Sequence, residues 1–209
     1  MQELDNLTDK TLEEAIVELV RLFETAAANM KTFKQGSEEQ WRAEVQWWSK
    51  NSFNIALRFC AEMHPEQLVR LLRACVKFLE SFPKDNGPMH HDDLAQRKQI
   101  CHFLCASASV VLGRSTESRP QRIQHYLEVQ REARTFLKTD DPQRLRAFEM
   151  LKFNVESVFH LEQWDDLDAA LAACMEFHGA TRWNTLADLI IVIYERTSTA
   201  AADNNTSAT

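Results

Sequence analysis

The sequence predicts an all-α protein of about eight helices, arranged as stacked antiparallel hairpins in a tetratricopeptide-like α-solenoid. Three observations predict this class. Apolar residues recur at alternating steps of three and four, which places them on one face of a helix. The chain has only four glycines and five prolines among its 209 residues, so few positions break a helix. No segment alternates apolar and polar residues as a half-buried strand would.

The first helix is predicted over residues 8–33, where Thr11 and Glu14 have the spacing of a capping box. Its apolar positions follow the helical period, so we expect them to face the core. They are Leu12, Ile16, Leu19, Val20 and Phe23.

The second helix is predicted to start at Ser37, which has the capping-box spacing to Gln40. Its apolar stripe comprises Trp41, Val45, Trp48, Ser52, Ile55 and Phe59, with Trp47, Leu57 and Cys60 beside it. Because this arc is wider than one neighbour needs, we expect contacts on two sides and burial of tryptophans 41, 47 and 48.

A third helix is predicted to begin at Pro65, since proline suits the first helical position. Its buried face comprises Leu68, Leu72, Cys75, Leu79 and Phe82, and Pro83 ends it. The short connection makes helices two and three antiparallel neighbours and the expected centre of stability.

A loop is predicted over residues 83–91, which are rich in proline, asparagine and glycine. Asp92 or Asp93 then caps a fourth helix that is buried nearly all round over residues 100–112 and closed by Gly113. Pro120 opens a fifth helix. The apolar positions of that helix are Ile123, Tyr126, Leu127, Ala133 and Leu137.

Three more helices complete the predicted domain. Asp141 and Pro142 start the sixth, a break near Glu162 leads to the seventh, and Thr181 caps the eighth. Their apolar faces are Leu145, Phe148, Leu151, Val155, Val158 and Phe159; Trp164, Leu167, Leu171, Cys174 and Phe177; and Leu186, Ile190, Ile191, Ile193 and Tyr194. We expect one helical-repeat domain over residues 1–197, followed by a flexible polar tail over 198–209.

Composition limits the expected partners. The 24 basic and 31 acidic residues are interspersed and give a net charge of −7, so no direct binding of nucleic acid is expected. The arginines 119, 122, 131, 134, 144 and 146 form a moderately basic region, which is either a solvated face or a site for an acidic partner segment. Five cysteines within helical patterns favour a reducing compartment, and no membrane segment is expected.

Two clusters could be taken for metal ligands. His90, His91, Cys101, His102 and Cys105 lack the close spacing of a zinc site, and thiols in an apolar helix usually act as small hydrophobes. The aspartates 165, 166 and 168 fall in the first turn of a helix, where the helix dipole favours carboxylates. No phosphate-binding loop or hydrolase motif is present. We therefore expect no catalysis, cofactor or metal.

Trp183 and Asn184 open the predicted eighth helix. The indole could fix the start of the helix against the core, or it could stand at the rim as an anchor for a partner protein. The spacing of these residues leaves both interpretations open.

Three segments carry a resemblance to a known family: residues 47–57 (WWSKNSFNIAL), 101–108 (CHFLCASA) and 125–129 (HYLEV). They resemble the sporulation- and meiosis-specific helical-repeat scaffolds, which include the fungal synapsis-initiation scaffold and testis-expressed counterparts. The similarity runs from about Trp41 to Tyr194, and members are typically far longer arrays.

The resemblance implies a hub on meiotic chromosomes in the nucleus that links crossover factors to synaptonemal-complex assembly. The family docks a component of that complex through an aromatic–asparagine motif, which Trp183 and Asn184 resemble. The alternatives are a generic tetratricopeptide-like adaptor or self-associating module, located in the cytoplasm or nucleus, and a helical metal protein using the histidine and cysteine cluster.

Overall fold

A computed structural model describes residues 2–33, 37–82, 87–138 and 144–176, and the separate positions 184, 187, 188, 190 and 191. In this part of the chain the backbone forms seven helices and no strand, which confirms the predicted all-α class. The helices are α1 (Gln2–Phe33), α2 (Glu38–Phe59), α3 (Pro65–Glu80), α4 (Gly87–Ser115), α5 (Arg119–Leu137), α6 (Arg144–His160) and α7 (Trp164–Met175). The separate positions are helical and fall within the predicted eighth helix.

From α2 onward, each helix packs mainly on its neighbours in the sequence, and α4 also contacts α6. Helix α1 packs mainly on α3 and touches α2 only slightly. The hydrophobic core is divided in the same order. The largest cluster joins α1 to α4, two smaller clusters join α4, α5 and α6, and a fourth joins α6 to α7. Cys101 and Cys105 lie in the first cluster, and Ala106 and Val110 lie in the next two. Helix α4 therefore links the two halves of the core.

The predicted starts of α2 and α3 are confirmed. The Ser37 hydroxyl accepts a hydrogen bond from the Gln40 backbone amide at 3.2 Å, so it replaces one of the partners that a first-turn amide lacks. Pro65 occupies the first turn of α3, and His64 Nδ1 accepts from the Glu66 amide. The predicted buried face of α3 is confirmed at Leu68, Leu72, Cys75 and Leu79, with Phe82 packed partly against the core.

The tryptophan prediction for α2 is partly wrong. Trp41 is buried and Trp48 packs against Phe23 and Phe78, but Trp47 is 55% exposed. Successive residues of a helix point about 100° apart, and α1 and α3 both lie on the Trp48 side of α2. Leu57, Phe59 and Cys60 are exposed for the same reason, whereas Ser49, Ser52, Phe53 and Ala56 are buried.

Two predicted helix starts are also wrong. Helix α1 begins at Gln2, which places Thr11 inside the helix, and Leu12 of the predicted buried side is 61% exposed. Helix α4 begins at Gly87, so residues 87–91 are helical rather than a loop, and Asp93 pairs with Arg97 one turn later. Residues 83–86 lie outside the described part. Helix α4 continues to Ser115 through Gly113, and Val111 is exposed rather than buried.

Helix α5 begins beside Pro120 as predicted, but its buried face is rotated. Tyr126 and Ala133 are buried as expected, whereas Ile123, Leu127 and Leu137 are between 38% and 44% exposed. The buried positions also include three polar residues, Glu128, Gln130 and Glu132. Each finds a polar partner on the described helices or at Gln163, which permits burial that an apolar pattern does not predict.

The faces of α6 and α7 follow the prediction more closely. Phe148, Leu151, Val155 and Val158 are buried, as is Cys174, whereas Trp164 is 51% exposed. The predicted break is confirmed at Glu162, whose φ of 58° is left-handed. The Gln163 amide donates to the Val158 carbonyl across this turn, in the arrangement that commonly ends a helix. Asp141, Pro142, Phe177, Gly179, Thr181 and residues 198–209 lie outside the described residues, as does Leu145 beyond its helical backbone.

Candidate functional site

A cleft of about 480 Å³ lies where α1, α3, α4 and α5 meet. Arg70, Arg73 and Lys77 enter it from one face of α3, because their spacing of three and four residues brings them to the same side. The opposite face of α3 is buried in the core, and this burial fixes the direction of the three cations. The cleft is also lined by Glu24, Ala74, Val76, His102, Cys105, Arg131 and Glu132. We call it the basic cleft.

One edge of the basic cleft is an ion pair between α1 and α3. Arg70 donates from Nε to Glu24 Oε1 at 2.9 Å and from Nη2 to Oε2 at 2.5 Å. These hydrogen bonds lower the pKa of Glu24, although its partial burial opposes them. Both side chains are about one-third exposed, so the pair orients α1 on α3 more than it stabilises the fold.

Two buried carboxylates of α5 pair with the arginines of the cleft, and one of them, Glu132, also lines it. Glu128 and Glu132 have side chains only 8% and 5% exposed. Arg73 of α3 and Arg131 both bond to Glu128, and Arg131 also reaches Glu132 at 2.7 Å. Such charges are tolerated away from water only when they are paired and hydrogen-bonded. The arginines therefore account for the position of these carboxylates.

His102 completes this network from α4. Its Nδ1 lies 2.6 Å from Glu132 Oε2. Burial alone would raise the pKa of Glu132, but the hydrogen bonds from His102 and Arg131 outweigh burial and lower it to about 2. Glu132 is thus ionised at neutral pH. It links α5 to His102 of α4 and fixes the side chain of Arg131.

The cysteines beside the cleft are core residues, as predicted. Cys101 and Cys105 are buried, and burial raises the pKa of the Cys105 thiol well above its ordinary value. A neutral thiol packs as a small hydrophobe and is a poor metal ligand. Among the side chains that the structure describes, no three histidine, cysteine or acidic groups converge as a metal site. The side chains of His90 and His91 lie outside that part.

A second polar network ties α4, α5 and α6 together. Arg114 donates to both oxygens of Glu156, at 2.7 and 2.5 Å. The Tyr126 hydroxyl donates to Glu156 Oε1 at 3.1 Å, and the ring of Tyr126 stacks on His160 with centroids 4.4 Å apart. Tyr126 is fully buried, so these contacts fix the packing of α5 on α6.

Three arginines of the predicted basic region have different partners. Arg119 pairs with Glu162, Arg122 donates to the Thr116 carbonyl, and Arg131 lines the basic cleft. The side chain of Arg144 lies outside the described residues. Asp165 and Asp166 lie in the first turn of α7, as the helix-dipole interpretation predicted.

The predicted partner site is described only in part. Asn184 is helical and exposed, whereas Trp183 lies outside the described residues. The chain has two other aromatic–asparagine pairs. In Phe53–Asn54 the ring is buried and the asparagine is exposed, and in Phe153–Asn154 both residues are partly buried.

Sequence reasoning missed the basic cleft because its acids occupy positions on α5 that the apolar pattern did not mark as buried. A signal was present in Glu128 and Glu132, which are one turn apart with Arg131 between them. Their counterparts on α3 and α4 are 30 to 55 residues away, as the pairs Glu132–His102 and Glu128–Arg73 show. Only the fold brings them together.

No helix in the described ranges is both long enough and apolar enough to cross a membrane. No known protein family and no curated protein matches the chain.

Proposed function

We propose that the protein is a non-enzymatic scaffold that holds segments of other proteins on a stack of helical hairpins. One observation carries this proposal: the core is divided into clusters that follow the order of the helices. A chain that packs mainly on its sequence neighbours has the organisation of an α-solenoid, and solenoids present extended surfaces to partners. The basic cleft is a concave surface of this kind between helices.

The meiotic role rests on the resemblance of three segments, which lie on α2, α4 and α5. Their buried residues include Phe53 and Ala56, Cys101 and Cys105, and Tyr126 and Val129. These residues form helix contacts, so the resemblance supports a shared way of stacking helices. On this proposal the partners are meiotic crossover and synaptonemal-complex factors, and the location is the nucleus and its meiotic chromosomes.

Trp183 and Asn184 are the proposed partner-binding residues. The exposure of Asn184 on a helix supports this assignment, because an amide that faces solvent can pair with a partner backbone. The Phe53–Asn54 pair supplies a matched control, since its asparagine is exposed but its ring is held in the core.

The test is capture of proteins from meiotic cells on the immobilised chain, with mass spectrometry as the readout. We expect Asn184→Asp to reduce capture of the main partner by about tenfold or more, which corresponds to at least 1.4 kcal/mol. Asn54→Asp adds the same charge and should leave capture unchanged. Equal capture by both variants would remove the site assignment, and no specific capture by the wild-type chain would remove the scaffold function.

A generic adaptor or self-associating module is the second candidate. The exposed indoles of Trp47 and Trp164 favour it, because large aromatic side chains are common at protein interfaces. Transcript confined to meiotic or sporulating cells supports the meiotic scaffold. Constitutive expression together with a concentration-dependent mass in sedimentation supports the second candidate.

A further inference from the structure

The basic cleft contains more positively charged side chains than carboxylates. Four cationic side chains line it, Arg70, Arg73, Lys77 and Arg131, against the two carboxylates Glu24 and Glu132. Glu128, which does not line the cleft but pairs with Arg73 and Arg131, makes a third carboxylate. The cleft is therefore locally positive on a chain whose net charge is −7.

The carboxylates of the cleft are already occupied by hydrogen bonds. Glu24 accepts two from Arg70, Glu128 accepts from Arg73 and Arg131, and Glu132 accepts from Arg131 and His102. Because arginine and histidine side chains already pair with these carboxylates, they have little tendency to bind a cationic ligand.

Two cationic side chains of the cleft, Arg73 and Lys77, can still form hydrogen bonds. The Nε of Arg73 is buried without a hydrogen-bond acceptor, which is costly for a polar atom. Lys77 is exposed at the cleft and forms no ion pair with the described residues, although its charge helps to lower the pKa of Glu24. The Arg73 side chain is 43% exposed, so an arriving carboxylate could bond to the accessible part of its guanidinium while it neutralises Lys77.

We propose that the basic cleft binds an acidic peptide segment of a partner protein, with Lys77 and Arg73 as the principal contacts. A volume of about 480 Å³ falls in the range of small-ligand sites and suits a few side chains rather than a duplex. Nucleic acid is disfavoured because its recognition requires an extended basic stripe, whereas the cations here are confined to one small cleft on an acidic chain. The inference rests on the scaffold function and names the chemistry of one partner segment.

The test uses a fluorescein-labelled peptide of six glutamates, with its binding to the full chain followed by anisotropy at low salt. We expect saturable binding that Lys77→Glu weakens by about tenfold and Lys77→Gln weakens less. Lys50→Glu is the matched control, because Lys50 is an exposed lysine of α2 outside the cleft and the charge change is identical. It should alter the Kd by less than about twofold.

Three results would overturn the assignment: no saturable binding of hexaglutamate, equal binding of hexaglutamine, or equal weakening by Lys77→Glu and Lys50→Glu. If Lys77→Glu fails to give the helical spectrum of the wild type, Lys77→Gln is compared with Lys50→Gln, which makes the same charge change outside the cleft. The two proposals fail separately. If partner capture depends on Asn184 but hexaglutamate does not bind, only the proposal for the cleft is wrong. If hexaglutamate binds but no partner is captured, the scaffold function is wrong and the cleft is an anion-binding site alone.

Discussion

Gly113 lies inside α4, where its missing side chain makes room for the ring of Tyr126. A Cβ placed there would lie 3.0 Å from two carbon atoms of that ring. The ring cannot easily retreat, since it is fully buried, stacked on His160 and hydrogen-bonded to Glu156. The sequence suggested a helix end at Gly113, but the position is a point of close packing between α4 and α5.

We expect Gly113→Ala to lower the free energy of unfolding by about 1 kcal/mol, although alanine is the better helix former by a similar amount. Urea unfolding measures this directly. Ala95→Gly, at an exposed position of α4, gives the propensity difference without crowding and is the control. A stabilised Gly113→Ala variant would show that Tyr126 moves freely.

Glu132 makes the stability depend on pH. Its folded pKa of about 2 is below the value of 4.5 for an unpaired glutamate, so the ionised form stabilises the fold above pH 4.5 and this contribution is lost as pH falls toward 2. We expect Glu132→Gln to be less stable than the wild type by roughly 3 kcal/mol at pH 7.

That difference should shrink as pH is lowered from 4.5 to 2, because the wild-type carboxyl then becomes neutral as well. Denaturant unfolding of both proteins across this range gives the comparison. A difference that stays constant with pH would mean that Glu132 does not titrate as the network requires.

Single residues were predictable where the signal is local. The Ser37 cap, Pro65 in the first turn of α3 and the break at Glu162 depend on neighbours within four residues. The burial of Glu128 and Glu132 was not predictable, because it depends on pairing with Arg73 of α3 and His102 of α4. Long-range pairs of this kind leave no periodic trace in one sequence.

At the scale of helices, the spacing of apolar residues predicted which segments are helical. It predicted less well which side of each helix faces the core. Helix α2 shows the cause. Its apolar arc is wide enough for several orientations, and the positions of α1 and α3 select the side with Trp48 over the side with Trp47. In α5 the same freedom exists because Ile123 and Leu127 compete with Tyr126 and Val129 for the core.

The orientation of α2 can be tested with its adjacent tryptophans. Trp48 contacts Phe23 and Phe78, so Trp48→Ala should lower the free energy of unfolding by about 3 kcal/mol or more. Trp47 is 55% exposed, so Trp47→Ala should lower the free energy of unfolding by less than about 1 kcal/mol. Equal losses in chemical denaturation would mean that α2 is rotated or covered by another surface.

For the whole molecule, the all-α class followed directly from composition and period. The arrangement of the helices depends on which neighbours share a core. Helices α1 to α4 share a large cluster, whereas α6 and α7 are joined by a small one built on Phe148, Val155 and Cys174. This division is the basis for proposing a stack that holds other proteins along its length.

A stack of neighbours predicts that its ends open separately, because each helix loses only local contacts. Native-state hydrogen exchange measures the free energy of opening at each backbone amide and is the most direct test of this organisation. We expect the amides of α7 to exchange through an opening of lower free energy and weaker denaturant dependence than those of α3. A single opening free energy shared by α3 and α7, with the same denaturant dependence, would show one indivisible core and contradict the stacked arrangement.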